Sequence, residues 1–157
     1  MDPSILRPAT LADLAQVTSW IASVADCELW AGCRVSFPIT MTALTDQISF
    51  APTTTFSLVD EDCLLGFGQL VAKANGRGHL ARLIVHPDHR GQGHGDALVR
   101  ALIDLAVDQR FAPISLNVYR ANGPAVALYR KVGFAEVPRP PDEPDLPETL
   151  YMEWASR

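Results

Sequence analysis

Leu80-Ala-Arg-Leu-Ile-Val-His-Pro-Asp-His-Arg-Gly-Gln-Gly-His-Gly95 decides how the rest of the chain is read. Its first six residues form a strand that Pro87 stops. Glycines at 91, 93 and 95 then leave successive backbone N–H groups free of Cβ obstruction. A helix follows to about Gln109, with Leu98, Leu102 and Leu105 as its core stripe. Such a turn aims oriented amides and the positive end of the helix dipole at one place, where phosphate binds. The spacing is neither G-x-G-x-x-G nor G-x-x-x-x-G-K-[ST]. No Lys-Ser or Lys-Thr follows, which argues against a nucleotide-dependent kinase or GTPase.

Working outward, Thr54–Asp60 and Leu64–Val71 form a hairpin around Asp60-Glu-Asp62. Gly66 and Gly68 inside the second strand signal a bulge or a close backbone approach. Asn75-Gly-Arg-Gly78 turns the chain into the strand at 80–85. Nearer the start, Ile5–Arg7 is a short strand, and Thr10 with Asp13 reads as a capping-box variant. Leu14, Val17, Trp20, Ile21 and Val24 follow at helical spacing. Residues 25–39 read as an irregular connection, and Thr40 or Thr42 caps a short helix through Ile48. Downstream, Ile114–Val118 alternates as a strand. Asn122-Gly-Pro124 starts a helix that Gly133 stops. Five of the twelve prolines fall in 138–147, an exposed loop, and Thr149–Trp154 is a final strand. The order β-α-α-β-β-β-α-β-α-β-β predicts a mixed α/β layer fold in a single domain over 1–157.

Composition narrows the function. The 157 residues carry a formal net charge of -5, unevenly placed. Residues 1–72 sum to -6, 73–134 to +5 and 135–157 to -4, and all four histidines lie in the basic middle. The balance argues against a nucleic-acid binder. A basic middle fits either an anionic ligand or a solvated Arg-rich helix face. No apolar run approaches membrane-spanning length, and Met1-Asp-Pro-Ser4 resembles no signal peptide, so a cytoplasmic protein is expected. Cys27, Cys33 and Cys63 suit neither a disulfide framework nor zinc. His86-x2-His89-x4-His94 lacks a carboxylate cluster, so no metal is expected.

Arg90-x-x-Gly93-x-Gly95 resembles the acetyl-CoA pyrophosphate signature R/Q-x-x-G-x-G/A of the Gcn5-related N-acetyltransferase (GNAT) superfamily. Leu83-Ile-Val-His-Pro-Asp-His-Arg90 is similar to that family's L-x-V-x-P-x-x-R. Asn122-Gly-Pro-Ala-Val-Ala-Leu-Tyr-Arg-Lys-Val-Gly-Phe134 resembles its N-x-x-A-x-x-L-Y-x-x-x-G-F block. The resemblance is specific over 80–134 and weak before residue 54. It implies a GNAT fold: a mixed central sheet of six to seven strands, splayed between strands 4 and 5, flanked by about four helices. It also implies acetyl-CoA as cosubstrate, without metal. Leu83, Ile84 and Val85 would meet the pantetheine arm, with Asn122. Arg90, Gly91, Gln92, Gly93, His94, Gly95 and Asp96 would meet the pyrophosphate, mainly through backbone N–H.

The implied reaction is acyl transfer to a primary amine by direct attack in a ternary complex. The amine must be neutral, although a free alkylammonium has a pKa near 10. The oxyanion needs a donor and the leaving thiolate a proton. Tyr129 stands where the family places its general acid. One branch has a Glu base on the fourth strand, eleven residues before the phosphate motif; that count lands on His79, whose imidazole can also be read as a strand-end histidine. Another branch has a Glu on the fifth strand, where this chain has Asn117, which cannot act as a base but can orient the acceptor. Trp30 and Phe37 are the expected walls of the acceptor pocket, with Arg34, or else an aromatic plug over the core. Asp26, Glu28 and the acidic stretch 142–148 point, by charge sign, to a cationic acceptor. A small-molecule or peptide amine is the expected partner, with a homodimer open. The alternative is a non-catalytic acyl-CoA-binding module of the same fold.

Overall fold

The computed structural model describes residues 4–155; Met1–Pro3 of the sequence start lie outside them. A seven-stranded sheet forms the centre, in the order β1-β2-β3-β4-β5-β7-β6. The strands are β1 (Ile5–Pro8), β2 (Thr55–Asp60), β3 (Cys63–Ala72), β4 (Gly78–Val85), β5 (Ile114–Tyr119), β6 (Phe134–Glu136) and β7 (Thr149–Trp154). All neighbours are antiparallel except β4 and β5, which run parallel. The connection between those two is α4 (His94–Asp108), the crossover a parallel pair requires. The remaining helices are α1 (Leu11–Thr18), α2 (Val24–Ala31), α3 (Met41–Gln47) and α5 (Gly123–Val132).

Each sheet face has its own apolar core. Leu98, Leu102 and Ala106 of α4 and Val126 and Tyr129 of α5 cover one face, against Leu80, Leu116 and Met152. Leu14 and Val17 of α1, Cys27 and Trp30 of α2, and Leu44 of α3 cover the other, against Phe67 and Val59. The strands of this interior are therefore buried on both sides, as a covered sheet demands.

Residues 11–31 differ from the expected pattern. The apolar spacing from Leu14 to Val24 suggested one helix, yet α1 stops at Thr18 and α2 starts at Val24. The Thr18 and Ser19 hydroxyls donate to the carbonyls of Ala15 and Gln16, a competition with the helix ladder that favours an end. Ser23 then caps α2 by accepting from the Asp26 N–H at 3.1 Å. Ser23-x-x-Asp26 is a start signal, so much of the expected irregular connection is helix. The Thr10 and Asp13 capping box is present as expected, with both reciprocal hydrogen bonds.

Candidate functional site

The site begins with a defect in the sheet. β4 pairs with β5 only through Gly78↔Ile114, His79↔Ser115 and Leu80↔Leu116. Beyond Leu80 the two strands part. The cause lies on the other edge of β4, where pairing with β3 jumps from Gln69↔Ala81 to Phe67↔Ile84. Arg82 and Leu83 thus face the single residue Gly68, a β-bulge that turns the strand. Arg82 takes a left-handed φ of 53° there. Glycine at 68 gives Leu83 its room: a Cβ would lie 2.5 Å from Leu83 Cδ2 and force that side chain to shift.

The parting opens a cleft of about 590 Å³ floored by Leu83, Ile84 and Val85. Gly91, Gly93 and the first turn of α4 form one wall, Asn122, Leu128 and Tyr129 of the α5 region another, and Trp20 and Trp30 a third. Gly91 and Gly93 have φ of 76° and 86°, and a Cβ on either would meet nothing within 4 Å. Gly93 is the N-cap of α4, and no side chain caps it. The helix's first N–H groups and its positive end therefore open to the cleft. Asp96, in that turn, is offset by Arg100 at 2.6 Å and Lys131 at 3.6 Å. Arg90 Nε donates to the Val85 carbonyl at 3.2 Å and so ties the turn to β4.

Asn122 Oδ1 accepts from the Ala125 N–H at 3.4 Å and caps α5. Tyr129 lies on the buried stripe of α5, edge-on to Phe134 with ring centroids 6.0 Å apart. Its hydroxyl makes no hydrogen bond among the described residues, and burial pushes its pKa up, so it stays protonated. The side chains of Gln92, which is exposed, and His94, which faces His89, line neither cleft described here.

A second cleft of about 540 Å³ lies across Trp30, which with Leu29 lines both. The Trp30 indole N–H donates to the Arg82 carbonyl at 2.9 Å, anchoring α2 to the bulge. Arg34, His79, Arg82 and Asn117 line this second cleft. Phe37 does not: it is exposed and lines neither cleft, because the chain after Arg34 carries it outward.

Arg82 is the site residue that the sequence did not reveal. The available signal was a cation inside an apolar strand run. Gln69, fully buried, holds its guanidinium: Gln69 Nε2 donates to the Ile48 carbonyl and to Thr55 Oγ1, which leaves Oε1 to accept from Arg82 Nε.

His79 is buried within a polar network. Arg139 donates to Asn117 Oδ1 at 2.6 Å, which turns the Asn117 amide toward His79 Nε2 at 3.4 Å. His79 Nδ1 then donates to Ser115 Oγ at 2.8 Å. Burial, followed by the positive charges of Lys73, Arg77, Arg82 and Arg139, lowers its pKa to about 3. The ring is neutral at physiological pH and weakly basic.

Among the described residues no group of three or more His, Cys, Asp or Glu is placed to hold a metal, and no helix is long and apolar enough to cross a membrane.

A splayed β4/β5 pair, an uncapped helix start beside it and a Tyr-bearing helix opposite thus meet at one cleft. The chain belongs to the Acetyltransferase (GNAT) family, whose model matches residues 23–134. It is similar to the uncharacterized N-acetyltransferase YobR of Bacillus subtilis, 33% identical over 54% of this chain and 34% of the relative. It is also similar to streptothricin acetyltransferase of Streptomyces lavendulae, 37% identical over 54% of this chain and 46% of the relative. The matches span less than half the length of these relatives. In three dimensions it resembles spermidine N-acetyltransferase from Vibrio cholerae in complex with CoA and spermine, with a TM-score of 0.75 at 20% identity, covering 96% of this chain and 94% of that one. At that identity the likeness is one of fold.

Proposed function

We propose that the protein is an N-acetyltransferase that uses acetyl-CoA to acetylate a primary amine held in the second cleft. One observation carries this reading: a single cleft joins the open edge of β4, the uncapped start of α4 and the protonated Tyr129 hydroxyl. These residues suit acetyl-CoA. The amides of Gly91 to Asp96 suit a pyrophosphate, and the open backbone edge of Leu83–Val85 suits the two amides of a pantetheine arm. Asn122 Nδ2, free of partners among the described residues, is a further donor. Bound acetyl-CoA supplies a thioester carbonyl open to attack by an amine.

The chain supplies the rest. Backbone N–H groups on β4 are donors for the carbonyl oxygen. Tyr129 holds a proton on Oη and gives it to the departing sulfur. In this reading His79 is not the base. Both its ring nitrogens are engaged and its affinity for a proton is too low for an ammonium group. It holds Asn117 and the floor of the second cleft in place, and solvent in that cleft takes the amine proton.

Tyr129→Phe tests the reading. The substitution lowers kcat by about 10²–10⁴ with CoA affinity little changed, read as free-thiol release across an amine panel and as CoA titration. Full activity in the variant removes Tyr129 from the mechanism. Acetyl-CoA binding with no turnover by the native protein on any amine gives the non-catalytic module instead.

A further inference from the structure

We infer that the amine acceptor carries an oxyanion group, a carboxylate or a phosphate, which Arg82 and Arg34 hold in the second cleft. The inference rests on the transferase reading above and names the acceptor class for it.

Arg82 is half-buried at the bulge and lines the second cleft, next to the open stretch of β4. Its Nε is engaged by Gln69, and Gln69 is fixed by two further hydrogen bonds. Nη1 and Nη2 make no hydrogen bond among the described residues. No carboxylate lies within ion-pair distance of Arg82 or of Arg34 among those residues. Even half-buried, a cation without a counter-charge loses part of its hydration uncompensated, and a guanidinium with two free Nη ends and a fixed stem is shaped for an oxyanion. Burial, and after it the nearby positive charge of Arg34, lowers the Arg82 pKa to about 10, so the Arg82 guanidinium stays charged at neutral pH.

The acidic groups that pointed to a cationic acceptor are spent or lie elsewhere. Glu143, the one carboxylate lining this cleft among the described residues, pairs with Arg77 at 2.6 Å and Lys73 at 3.8 Å. Asp142 also pairs with Arg77, at 3.4 Å. Asp26 lines the first cleft, and Glu28 and Glu148 act on Tyr119 without lining the second. The charge the second cleft offers an acceptor is therefore positive.

Matched amines decide the matter: amino acids, their carboxamides, aminoalkyl phosphates and the polyamine spermidine, each assayed by thiol release with acetyl-CoA. The expected result is a kcat/KM at least about tenfold higher for one oxyanion series than for carboxamides and spermidine, about 1.4 kcal/mol. Whichever series leads, carboxylate or phosphate, identifies the source. Arg34→Ala, on an exposed segment, narrows that ratio by raising KM for the anionic series. Arg82→Lys, which keeps the charge and loses the fork, narrows it as well. Carboxamides or spermidine turned over as well as the anionic amines overturn the inference and leave the transferase reading standing. If no series turns over, the transferase reading fails, and calorimetric titration of the same compounds into the CoA-loaded protein decides the anion site. Binding of the anionic amines alone, weakened by Arg34→Ala, upholds it; equal or no binding overturns it.

Discussion

Gly68 and Arg82 face each other across the bulge and divide the work there. Gly68 leaves room for Leu83, and Arg82 absorbs the left-handed turn. Gly68→Ala places a methyl 2.5 Å from Leu83 Cδ2 and 3.0 Å from Leu102 Cδ1. Overpacking of this kind costs about 1–3 kcal/mol, read as a lower urea midpoint for unfolding. A midpoint equal to that of the native chain shows that Leu83 and Leu102 yield freely. At this scale the sequence was partly legible. Gly68 announced itself as glycine in a strand, and Tyr129 stood in a recognisable block. Arg82 carried no motif, because its role depends on Gln69, thirteen positions away and directly across the bulge. Phe37 misled for the complementary reason: an aromatic residue in a loop says nothing of which way the loop carries it.

Among the elements, α1 shows how a short helix is held. Its Asp13 carboxylate accepts from Arg7 of β1, from Ser57 of β2 at 2.9 Å and from its own N-cap amide at 3.0 Å. Burial alone would raise the Asp13 pKa, but these donors outweigh it and hold the group at about 2, below its usual 3.8. A folded-state pKa below the unfolded one stabilises fully above pH 3.8, and the contribution is lost as pH falls through about 2. The stake is about 2 kcal/mol. Denaturation between pH 6 and pH 2 therefore shows a loss of that order, and in Asp13→Asn the part of the curve below pH 4 flattens. A slope identical in both proteins contradicts the role. The capping half of this arrangement is local and was read from Thr10 and Asp13. The ion pair joins β1 to α1 across six positions and the Ser57 contact joins β2 to α1 across 44, and neither follows a helix or strand period, so no spacing rule shows them.

For the whole molecule, the splay of β4 from β5 creates the first cleft by leaving backbone and helix-end amides without protein partners. A ligand that fills the cleft stabilises the folded state by mass action. At about 100 times its Kd, CoA is worth about 2.7 kcal/mol, and for a chain of this size that raises Tm on the order of 5–10 °C. Thermal melting with CoA shows the shift; no shift at saturating CoA refutes the placement of CoA in this cleft. The charge map of the molecule has the same origin. The +5 of residues 73–134 looks like one basic region in the sequence, yet folding sends Arg100 and Lys131 to Asp96 and Arg77 to the acidic loop. What the sequence by itself determined is the part written in contiguous residues: the strand, glycine turn and helix of 80–109, the α5 block, and with them the family and the walls of the first cleft. Dihedral preferences, helix caps and apolar periods act over a few neighbours, so they can be read along the chain. What only the tertiary structure decided is the second cleft and its sign of charge. Ion pairing is settled by distance in space: it ties Asp142 and Glu143 of the acidic loop to Arg77 and leaves Arg82 and Arg34 without a counter-charge among the described residues.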